Sequence, residues 1–310
     1  MNKLPENITA KPFLKWAGGK SQLINAISKS LPEIFYTEKS ITYIEPFIGS
    51  GAMLFWFLKT FPNIQHAIIN DINPDLYKAY STIKREPKNL IDLLSLLQIK
   101  YFSLKDEESR RSFFMEKREL FNTRNLDSLQ NTSLLIFLNR TCFNGLYRVN
   151  SKGLFNVPFG KYNNPKICDP KTILADSKIL QRVTILNADY SETLKHANLH
   201  NTFFYFDPPY KPINKTSSFN AYAAGCFNDS EQERLKYFCT EIDNLGHLWL
   251  LSNSDLKNMD ENNAYFDLLY KDFKISRVLA SRRINSNATK RGEIFELLIS
   301  NYNYYSEWKE

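Results

Sequence analysis

The chain has 310 residues, 43% hydrophobic and 24% charged, which suffices for a sizeable core and one or two domains. Its net charge is +7, and apolar stretches such as Ala52–Leu58 are far shorter than the ~20 residues that a membrane span needs. Residues 1–9 lack the continuous apolar segment of a signal peptide, so we expect a cytoplasmic protein that does not enter a membrane.

The cysteines and histidines show no metal-binding pattern. His196 and His200 are four residues apart, but the residues between them lack the glutamate of a zinc-protease helix. The cysteines, none of which forms a Cys-x-x-Cys pair, are Cys142, Cys168, Cys226 and Cys239. We therefore expect reduced thiols, no disulfide framework and no bound metal.

The first motif along the chain is Gly19-Lys20-Ser21, which imitates the end of a phosphate-binding P-loop. A P-loop needs a glycine five positions before Gly19, where this chain has Leu14, and no strand precedes it. The sequence therefore argues against an NTPase.

A strand, a glycine-rich turn and a helix are predicted next. Thr42–Glu45 is rich in β-forming residues, and Ala52–Phe61 has the composition of an apolar helix. Phe47-x-Gly49-x-Gly51 lies between them, where glycines let a ligand approach the backbone near the free N–H groups of a helix. The turn is shorter than the Gly-x-Gly-x-x-Gly motif of dinucleotide-binding proteins, so a bound dinucleotide is less favoured.

A second strand is predicted over His66–Asn70, followed by a helix that Asn73 caps and Pro74 opens. Asp71 lies between them, 20 residues after Gly51, where an acidic side chain binds ribose hydroxyls in folds of this kind. An ordinary strand-end turn is the alternative. Alternating strands and helices predict a parallel α/β sheet.

Residues 86–182 have a different character. Helical spacing covers Asn89–Lys100, Arg110–Phe121 and Ser128–Asn139 without a strand between them, and a loop with a hairpin near Asn150–Gly153 follows. Residues 139–182 carry eight basic and two acidic side chains, a local charge of +6, interleaved with aromatics. This composition indicates a polyanion partner, although a solvated basic loop would have the same charge.

Strands are predicted again in the last part of the chain, at Val183–Leu186, Thr202–Phe206, Leu248–Ser252, Phe273–Leu279 and Ile294–Ser300. We therefore predict one α/β domain built from residues 1–85 and 183–310, interrupted by a mainly helical insertion over residues 86–182.

Carboxylates follow two of these strands. Asp189 comes after Val183–Leu186, and Asp207 directly follows Thr202–Phe206. Because ligands of open α/β sheets bind at the carboxyl ends of the strands, Asp71, Asp189 and Asp207 are expected to face one site. Asp207-Pro208-Pro209-Tyr210 is a stiff loop, since proline fixes φ and donates no N–H. Its carboxylate, carbonyls and aromatic ring suit the binding of an amino group.

With these motifs in place, the chain resembles the Dam-like, alpha-class (D12) DNA adenine N6-methyltransferases, which use S-adenosylmethionine. The matching segments, in the order of the family, are residues 13–20, 45–51, 70–73, 139–145, 155–162 and 207–210. The resemblance implies a doubly wound, mostly parallel methyltransferase sheet with a helical DNA-recognition insertion.

The resemblance also implies residue roles. The residues expected to contact the methyl donor are Trp16, Lys20, Glu45, Phe47, Gly49, Gly51, Asp71, Asp189 and Asp207. Those expected to contact duplex DNA are Arg140, Phe143, Asn144, Leu146, Arg148, Pro158 and Lys161, with Phe143 as the aromatic that wedges into the base stack. Some relatives carry Arg where this chain has Lys161, which would lose a bidentate contact. A second DNA clamp or, as the alternative, a solvated loop is expected at the basic residues Arg282, Arg283, Lys290 and Arg291.

The expected reaction is methylation of a flipped adenine in duplex DNA, within GATC by similarity to the family. Asp207 and the Pro208 carbonyl would accept the two N–H groups of the adenine amine, and Tyr210 would stack on the base. N4-cytosine methylation, RNA adenine methylation and a catalytically silent DNA-binding protein are the alternatives. The enzyme would act alone or alongside a restriction endonuclease of the same specificity.

Overall fold

The computed structural model describes residues 10–16, 20–197, 201–210, 227–281 and 293–305. The strands are β1 Ile41–Glu45, β2 Ile64–Asn70, β3 Val183–Leu186, β4 Thr202–Phe206, β5 Leu248–Ser254, β6 Lys274–Ser281 and β7 Glu293–Ser300. The helices are α1 Ile24–Ser28, α2 Ile34–Thr37, α3 Ala52–Thr60, α4 Pro74–Arg85, α5 Pro87–Ser103, α6 Glu107–Asn122, α7 Ser128–Thr141, α8 Pro170–Leu180, α9 Asp229–Asn244 and α10 Tyr265–Leu269. Short 3₁₀ helices cover Lys20–Gln22, Phe143–Gly145, Tyr190–His196 and Leu256–Asn258.

The strands form one seven-stranded sheet in the order β3-β2-β1-β4-β5-β7-β6. β1 pairs in parallel with β2 and β4, and β4 pairs in parallel with β5. β7 is antiparallel to both of its neighbours, β5 and β6. Every residue of β1 and β4 is buried, as expected for strands covered on both faces. The predicted mixed α/β class with a mostly parallel sheet is confirmed.

The chain divides into two compact units. Unit 1 comprises Met1–Gly19, Gly49–Thr60 and Asp71–Ala188, and unit 2 comprises Lys20–Ile48, Phe61–Asn70 and Asp189–Glu310. Residues 86–182, all of them described, contain α5 to α8 and only isolated antiparallel bridges, one of which joins Val149 to Phe155 where a hairpin was expected. The proposed boundaries at 85 and 182 stay a prediction.

Helix starts follow the local chemistry. Asn73 caps α4 by accepting the Asp75 N–H at 2.9 Å, and Pro74 occupies the first turn, as predicted. Asp169 and Pro170 begin α8 in the same way. Helices α8 and α9 were not predicted from the sequence, although the buried residues of α9 recur at helical spacing after the Asn228 cap.

No helix among the described residues is both long and apolar enough to cross a bilayer. Within the same residues, no group of three or more His, Cys, Asp or Glu side chains is arranged to hold a metal ion. Arg282, Arg283, Lys290 and Arg291, expected as a second DNA clamp, lie outside the described residues, as does His200.

Candidate active site

The predicted site residues are divided between the two units, so each set is described separately. In unit 2 the parallel register aligns the carboxyl ends of three strands, since Glu45 of β1 pairs with Ile69 of β2 and Ile44 pairs with Phe204 of β4. Glu45, Asn70 and Asp207 therefore lie along one edge of the sheet. The expectation that Asp71, Asp189 and Asp207 face one site stays a prediction.

Asp207 belongs to a compact ionic cluster. Lys20 is almost fully buried, with 4% of its side chain exposed, and its Nζ lies 3.1 Å from Asp207 Oδ1 and 3.3 Å from Glu296 Oε2. The same ammonium lies 4.0 Å from the ring centroid of Tyr210, at cation–π distance. The Tyr210 hydroxyl donates to Glu296 Oε2 at 2.8 Å. Three residues implied by the resemblance are thus brought together, and β7 adds a fourth.

Burial raises the pKa of Asp207 to about 6, although the Lys20 ammonium counteracts this rise. The Glu296 carboxylate raises the pKa further, and the Ser252 hydroxyl, 3.5 Å from Asp207 Oδ1, lowers it. About a quarter of the Asp207 side chain stays exposed (23%), so a ligand can reach it. Carboxylates with strongly shifted pKa values are common at functional sites.

The turn after β1 is anchored from β2. The Asn70 amide donates to the Pro46 carbonyl at 3.1 Å, and the Ile48 N–H donates to the Asn70 carbonyl at 3.0 Å. Glu45 is buried and accepts the Tyr43 hydroxyl at 2.7 Å. Phe47 is half-buried, with its ring 5.1 Å from that of Tyr190. These contacts fix where the glycine turn begins.

Asp189 is placed at the start of the 3₁₀ helix Tyr190–His196, which it caps through the Ser191 N–H at 3.0 Å. Arg234 of α9 pairs with the same carboxylate and lies over the Tyr190 ring. Burial raises the pKa of Asp189, but Arg234 and Ser191 outweigh it and hold the pKa below its usual value. The contact with Arg234 was not predicted from the sequence, and a purine amine at this position would share the Asp189 carboxylate with the arginine.

In unit 1 the glycine turn has a conformation that glycine favours, with φ of +48° at Gly49 and +74° at Gly51. A Cβ at Gly49 would lie 3.3 Å from Trp16 Nε1, and one at Gly51 would lie 2.5 Å from the Tyr80 hydroxyl. That hydroxyl donates to the Gly49 carbonyl at 3.1 Å. The Trp16 ring therefore lies against Gly49, and Tyr80 lies against both Gly49 and Gly51.

Asp71 is held against this turn. Its Oδ2 accepts the Gly49 N–H at 3.1 Å, and its Oδ1 accepts the Asn73 N–H at 2.9 Å. Burial raises its pKa, which the two N–H donors partly counteract. This direct bond places the acidic strand end beside the glycine turn, and their shared contact with a ribose stays a prediction.

A network that the sequence did not reveal reaches Trp16. Its ring stacks on Tyr147, with 5.1 Å between the ring centroids. The Tyr147 hydroxyl donates to Asp75 Oδ2 at 2.7 Å, and Arg124 Nη1 donates to the same oxygen at 2.8 Å. Asp75 is 3% exposed and also accepts the Asn131 amide. The start of α4 thereby fixes a ring beside a predicted donor contact.

The predicted DNA contacts lie mostly on two antiparallel loop segments, residues 142–149 and 155–161. Backbone bonds from Phe143 N–H to the Pro158 carbonyl (2.8 Å) and from Asn156 N–H to the Arg148 carbonyl (3.1 Å) join them. The exposed members are Phe143, Asn144, Arg148, Pro158 and Lys161, and we call this set the recognition strip. Phe143 is 52% exposed, so its ring is accessible from solvent.

Within the recognition strip, Arg148 Nε donates to Asn156 Oδ1 at 2.8 Å, which orients the guanidinium. Lys161 has φ of +58° and pairs with Glu107 at 2.7 Å, an exposed ion pair of little energetic value. Asn144 also has a positive φ, +55°, and its N–H donates to the Tyr162 hydroxyl at 3.1 Å.

Two predicted DNA contacts are less accessible. Arg140 Nη2 donates to the Phe13 carbonyl at 2.7 Å, and burial lowers its pKa. Leu146 is half-buried, and its carbonyl accepts the Cys142 thiol at 3.3 Å. The structure places Arg140 as a link between α7 and the N-terminal segment, and its contact with DNA stays a prediction.

The chain is similar to known proteins over most of its length. The family model described as D12 class N6 adenine-specific DNA methyltransferase matches residues 16–284. The chain belongs to this family. It is therefore an adenine-specific DNA methyltransferase, and the family implies a methyl donor of the S-adenosylmethionine type.

Relatives of similar length support the assignment. The chain is 45% identical over 295 residues to the type II methyltransferase M.MjaIII of Methanocaldococcus jannaschii, covering 94% of this chain and 99% of that protein. It is 36% identical over 308 residues to the type II methyltransferase M1.LlaDCHI of Lactococcus lactis subsp. cremoris, covering 97% and 99%. A DNA adenine methylase of Vibrio cholerae is 33% identical over 289 residues, covering 93% and 95%.

The contacts of Glu296, Tyr147 and Asp75 were not predicted from the sequence. Glu296 interrupts the apolar run of β7, and a carboxylate in such a run was an available signal of a paired or functional group. Tyr147 and Asp75 carried no signal of their own, because their contact joins residues 72 positions apart.

Proposed function

We propose that this methyltransferase transfers a methyl group from S-adenosylmethionine to N6 of an adenine flipped out of duplex DNA, within the sequence GATC. The observation that carries the proposal is the partly exposed Asp207 carboxylate at the end of β4, paired with Lys20 and followed by Tyr210. The relatives named DNA adenine methylase support adenine as the target base, and the sequence GATC rests on the resemblance to the Dam-like enzymes.

The residues of unit 1 suit part of the donor. Glycines at Gly49 and Gly51 keep the turn free of side chains, and the Asp71 carboxylate next to them can accept hydroxyl hydrogens of a ribose. Trp16 offers an aromatic face fixed by Tyr147. The other residues that the resemblance assigns to the donor belong to unit 2 and are Lys20, Glu45, Phe47, Asp189 and Asp207.

S-adenosylmethionine supplies an electrophilic methyl carbon on a sulfonium, and the C–S electron pair leaves with the sulfur as a neutral thioether. The adenine amine is a poor nucleophile because its lone pair is delocalised into the ring. In our proposal, Asp207 and the Pro208 carbonyl each accept one N–H, which favours a pyramidal nitrogen with its lone pair directed at the methyl carbon. Catalysis is then mainly positioning and electrostatics.

After transfer, the nitrogen carries a positive charge and releases one proton readily, so Asp207 need not be a strong base. The ionised carboxylate is nevertheless the stronger acceptor and stabilises the positive charge that develops on the nitrogen, whereas the protonated form does neither as well. Because its pKa is about 6, methylation should decline as the pH falls through this value. Tyr210 would stack on the extruded base, with its ring position set by Lys20 and Glu296.

The reaction is tested by incubating the purified protein with plasmid DNA and isotopically labelled donor, followed by nucleoside analysis and mapping of the modified positions. We expect N6-methyladenine at GATC. Asp207→Ala should abolish transfer and leave the fold intact, whereas Asp272→Ala, which removes an exposed carboxylate, should not. Near-normal turnover of Asp207→Ala would refute the mechanism, and label in N4-methylcytosine or in RNA would refute the substrate.

Base flipping is supported by the exposed ring of Phe143 at the tip of the 3₁₀ turn in the recognition strip. A duplex with 2-aminopurine at the target position should gain fluorescence when the protein binds, since the unstacked base is no longer quenched. Phe143→Ala should diminish the gain. An unchanged signal with both proteins would argue that adenine is reached without flipping.

Sequence reading is assigned to Arg148, whose guanidinium is oriented by Asn156 and can make guanine edge contacts worth roughly 1–3 kcal/mol. Arg148→Ala should relax the preference for GATC over sites that differ at one base pair. Lys161→Ala is the control, because loss of a phosphate contact weakens all DNA alike and lowers the salt dependence. Uniform weakening by Arg148→Ala would reassign Arg148 to the phosphate backbone.

The biological setting follows from the relatives. Because the two relatives of higher identity are named type II methyltransferases, we propose a cytoplasmic restriction-modification role, in which methylation protects host DNA from an endonuclease of the same specificity. A host that carries the nuclease should not survive loss of the methyltransferase. Survival of such cells would favour a solitary methylase.

A further inference from the structure

We propose that Glu296 is a positioning residue for methyl transfer, because its carboxylate holds the Lys20 ammonium and the Tyr210 hydroxyl at the same time. The inference rests on the proposed function of the Asp207–Tyr210 loop. It assigns to β7 a role at the reacting adenine that none of the sequence motifs indicates.

The contacts converge on one oxygen. Glu296 Oε2 accepts the Tyr210 hydroxyl at 2.8 Å and lies 3.3 Å from Lys20 Nζ. The same Nζ lies 3.1 Å from Asp207 Oδ1. Glu296 thus contacts the two groups that flank the proposed adenine-binding carboxylate, and it does so without contacting Asp207 itself in any of these bonds.

The sheet explains the placement. Glu296 pairs with Ser254 at the carboxyl end of β5 and with Val278 of β6, while the next residues of β7, Leu297 to Ile299, are fully buried. With 15% of its side chain exposed, the Glu296 carboxylate would be costly without a cationic partner. Lys20, 276 residues earlier in the chain, supplies that partner.

The Lys20 ammonium forms ion pairs with two carboxylates, those of Asp207 and Glu296. If the negative charge of Glu296 were removed, the Lys20 ammonium, which already lies 3.1 Å from Asp207 Oδ1, would pair with Asp207 alone and compete more strongly with the adenine amine for that carboxylate. Tyr210 would lose the acceptor that fixes its hydroxyl. The geometry therefore assigns Glu296 two effects, one on the availability of Asp207 and one on the orientation of the stacking ring.

The groups that face Asp207 determine its pKa, which the pH dependence of methylation reports. They are Lys20, Glu296 and Ser252, together with the phenols Tyr43 and Tyr205, whose own pKa values Asp207 raises. Glu296 is a like charge that raises the pKa of Asp207. Removal of this charge should lower that pKa, so Asp207 would stay ionised at lower pH.

The test compares Glu296→Gln with the unmodified protein in single-turnover methylation of a GATC duplex at saturating donor, between pH 5 and 8.5. Gln keeps the shape and an acceptor oxygen but not the charge. We expect the rate at pH 8 to fall about tenfold to a hundredfold, the range of one lost charge-assisted contact. We also expect the acidic midpoint of the pH–rate profile to move to lower pH.

Two variants separate the contributions. Tyr210→Phe removes the hydroxyl contact without changing charge, so it should lower the rate and leave the acidic midpoint in place. Glu241→Gln removes an exposed carboxylate from α9 and should change neither quantity. A purely structural Glu296 would lower stability in urea without moving the pH midpoint.

Methylation by the unmodified protein tests the proposed function, and its comparison with Glu296→Gln tests the role of Glu296. Absence of methylation by the unmodified protein would overturn the proposed function. Normal methylation with an unchanged rate and midpoint in Glu296→Gln would overturn the role of Glu296 alone. If Glu296→Gln does not fold, Tyr210→Phe decides, because a normal rate in that variant would show that the contact between Tyr210 and Glu296 does not position the ring.

Discussion

Gly51→Ala is the substitution that tests the geometry of the glycine turn. Gly51 has φ of +74°, and an added Cβ would lie 2.5 Å from the Tyr80 hydroxyl and 3.3 Å from Phe55 Cε2. Tyr80 is fully buried and its hydroxyl donates to the Gly49 carbonyl, so it cannot move aside without loss of that bond.

The expected cost has two parts. A left-handed φ at a residue with a Cβ costs roughly 1–2 kcal/mol. Displacement of the Tyr80 hydroxyl adds about 1 kcal/mol for the lost hydrogen bond. Gly51→Ala should therefore lower the free energy of unfolding by about 2–3 kcal/mol. Gly246→Ala is the matched control, because Gly246 has φ of +77° and no atom within 4 Å of its added Cβ, and it should lose only the first part.

Gly51→Ala should also be measured in a Tyr80→Phe background, because this substitution removes the hydroxyl oxygen that would clash with the new methyl group. In a double-mutant cycle measured by urea denaturation, Gly51→Ala should cost less with Phe at position 80 than with Tyr. Calorimetric titration of S-adenosylmethionine should show weaker binding to Gly51→Ala than to Gly246→Ala. Equal costs in both backgrounds, or equal donor affinity for the two alanine variants, would refute this account of the turn.

Two further predictions concern buried polar groups of unit 1. Burial raises the pKa of Asp176 to about 8 against a bond from the Lys11 N–H, so the folded protein keeps a proton that the unfolded chain releases near 3.8. The free energy of unfolding should then fall as the pH rises between these values, by about 1.4 kcal/mol per pH unit at most, and Asp176→Asn should flatten this slope in urea titrations at pH 5 and 8. Tyr147→Phe should cost about 1.5–3 kcal/mol through its lost bond to Asp75 but keep donor affinity, whereas Tyr147→Ala should also weaken donor binding because the Trp16 stack is lost. Equal donor affinity for the two Tyr147 variants would contradict a role for that stack.

Much of the fold was predictable because local patterns carry it. Val183–Leu186 and Thr202–Phe206 are strands with the predicted bounds, and Pro74 begins α4 as its N-cap signal indicated. Helix α9 was missed although its buried residues recur at helical spacing, because polar residues dominate its first turns. Such omissions reflect weak local signals.

The candidate site was predictable to the extent that it depends on strand ends. A parallel sheet brings its carboxyl ends to one edge, which is why Asp71, Asp189 and Asp207 were expected to face one site, and the structure places Asp207 at this edge beside Glu45 and Asn70. The sequence could not say which charged groups would pair with them. The pairing of Arg234 with Asp189 and the bond from half-buried Arg140 to the Phe13 carbonyl depend on packing between distant segments.

The sequence by itself determined the α/β class, the order of the motifs and the residue types of the Asp207–Tyr210 loop, because each depends on neighbouring residues. Only the tertiary structure decided that Glu296 meets Lys20 and Tyr210. That contact requires β7 to return antiparallel beside β5, and no local pattern in the chain specifies which strands become neighbours. The environment of the proposed adenine-binding carboxylate is therefore a property of the assembled sheet.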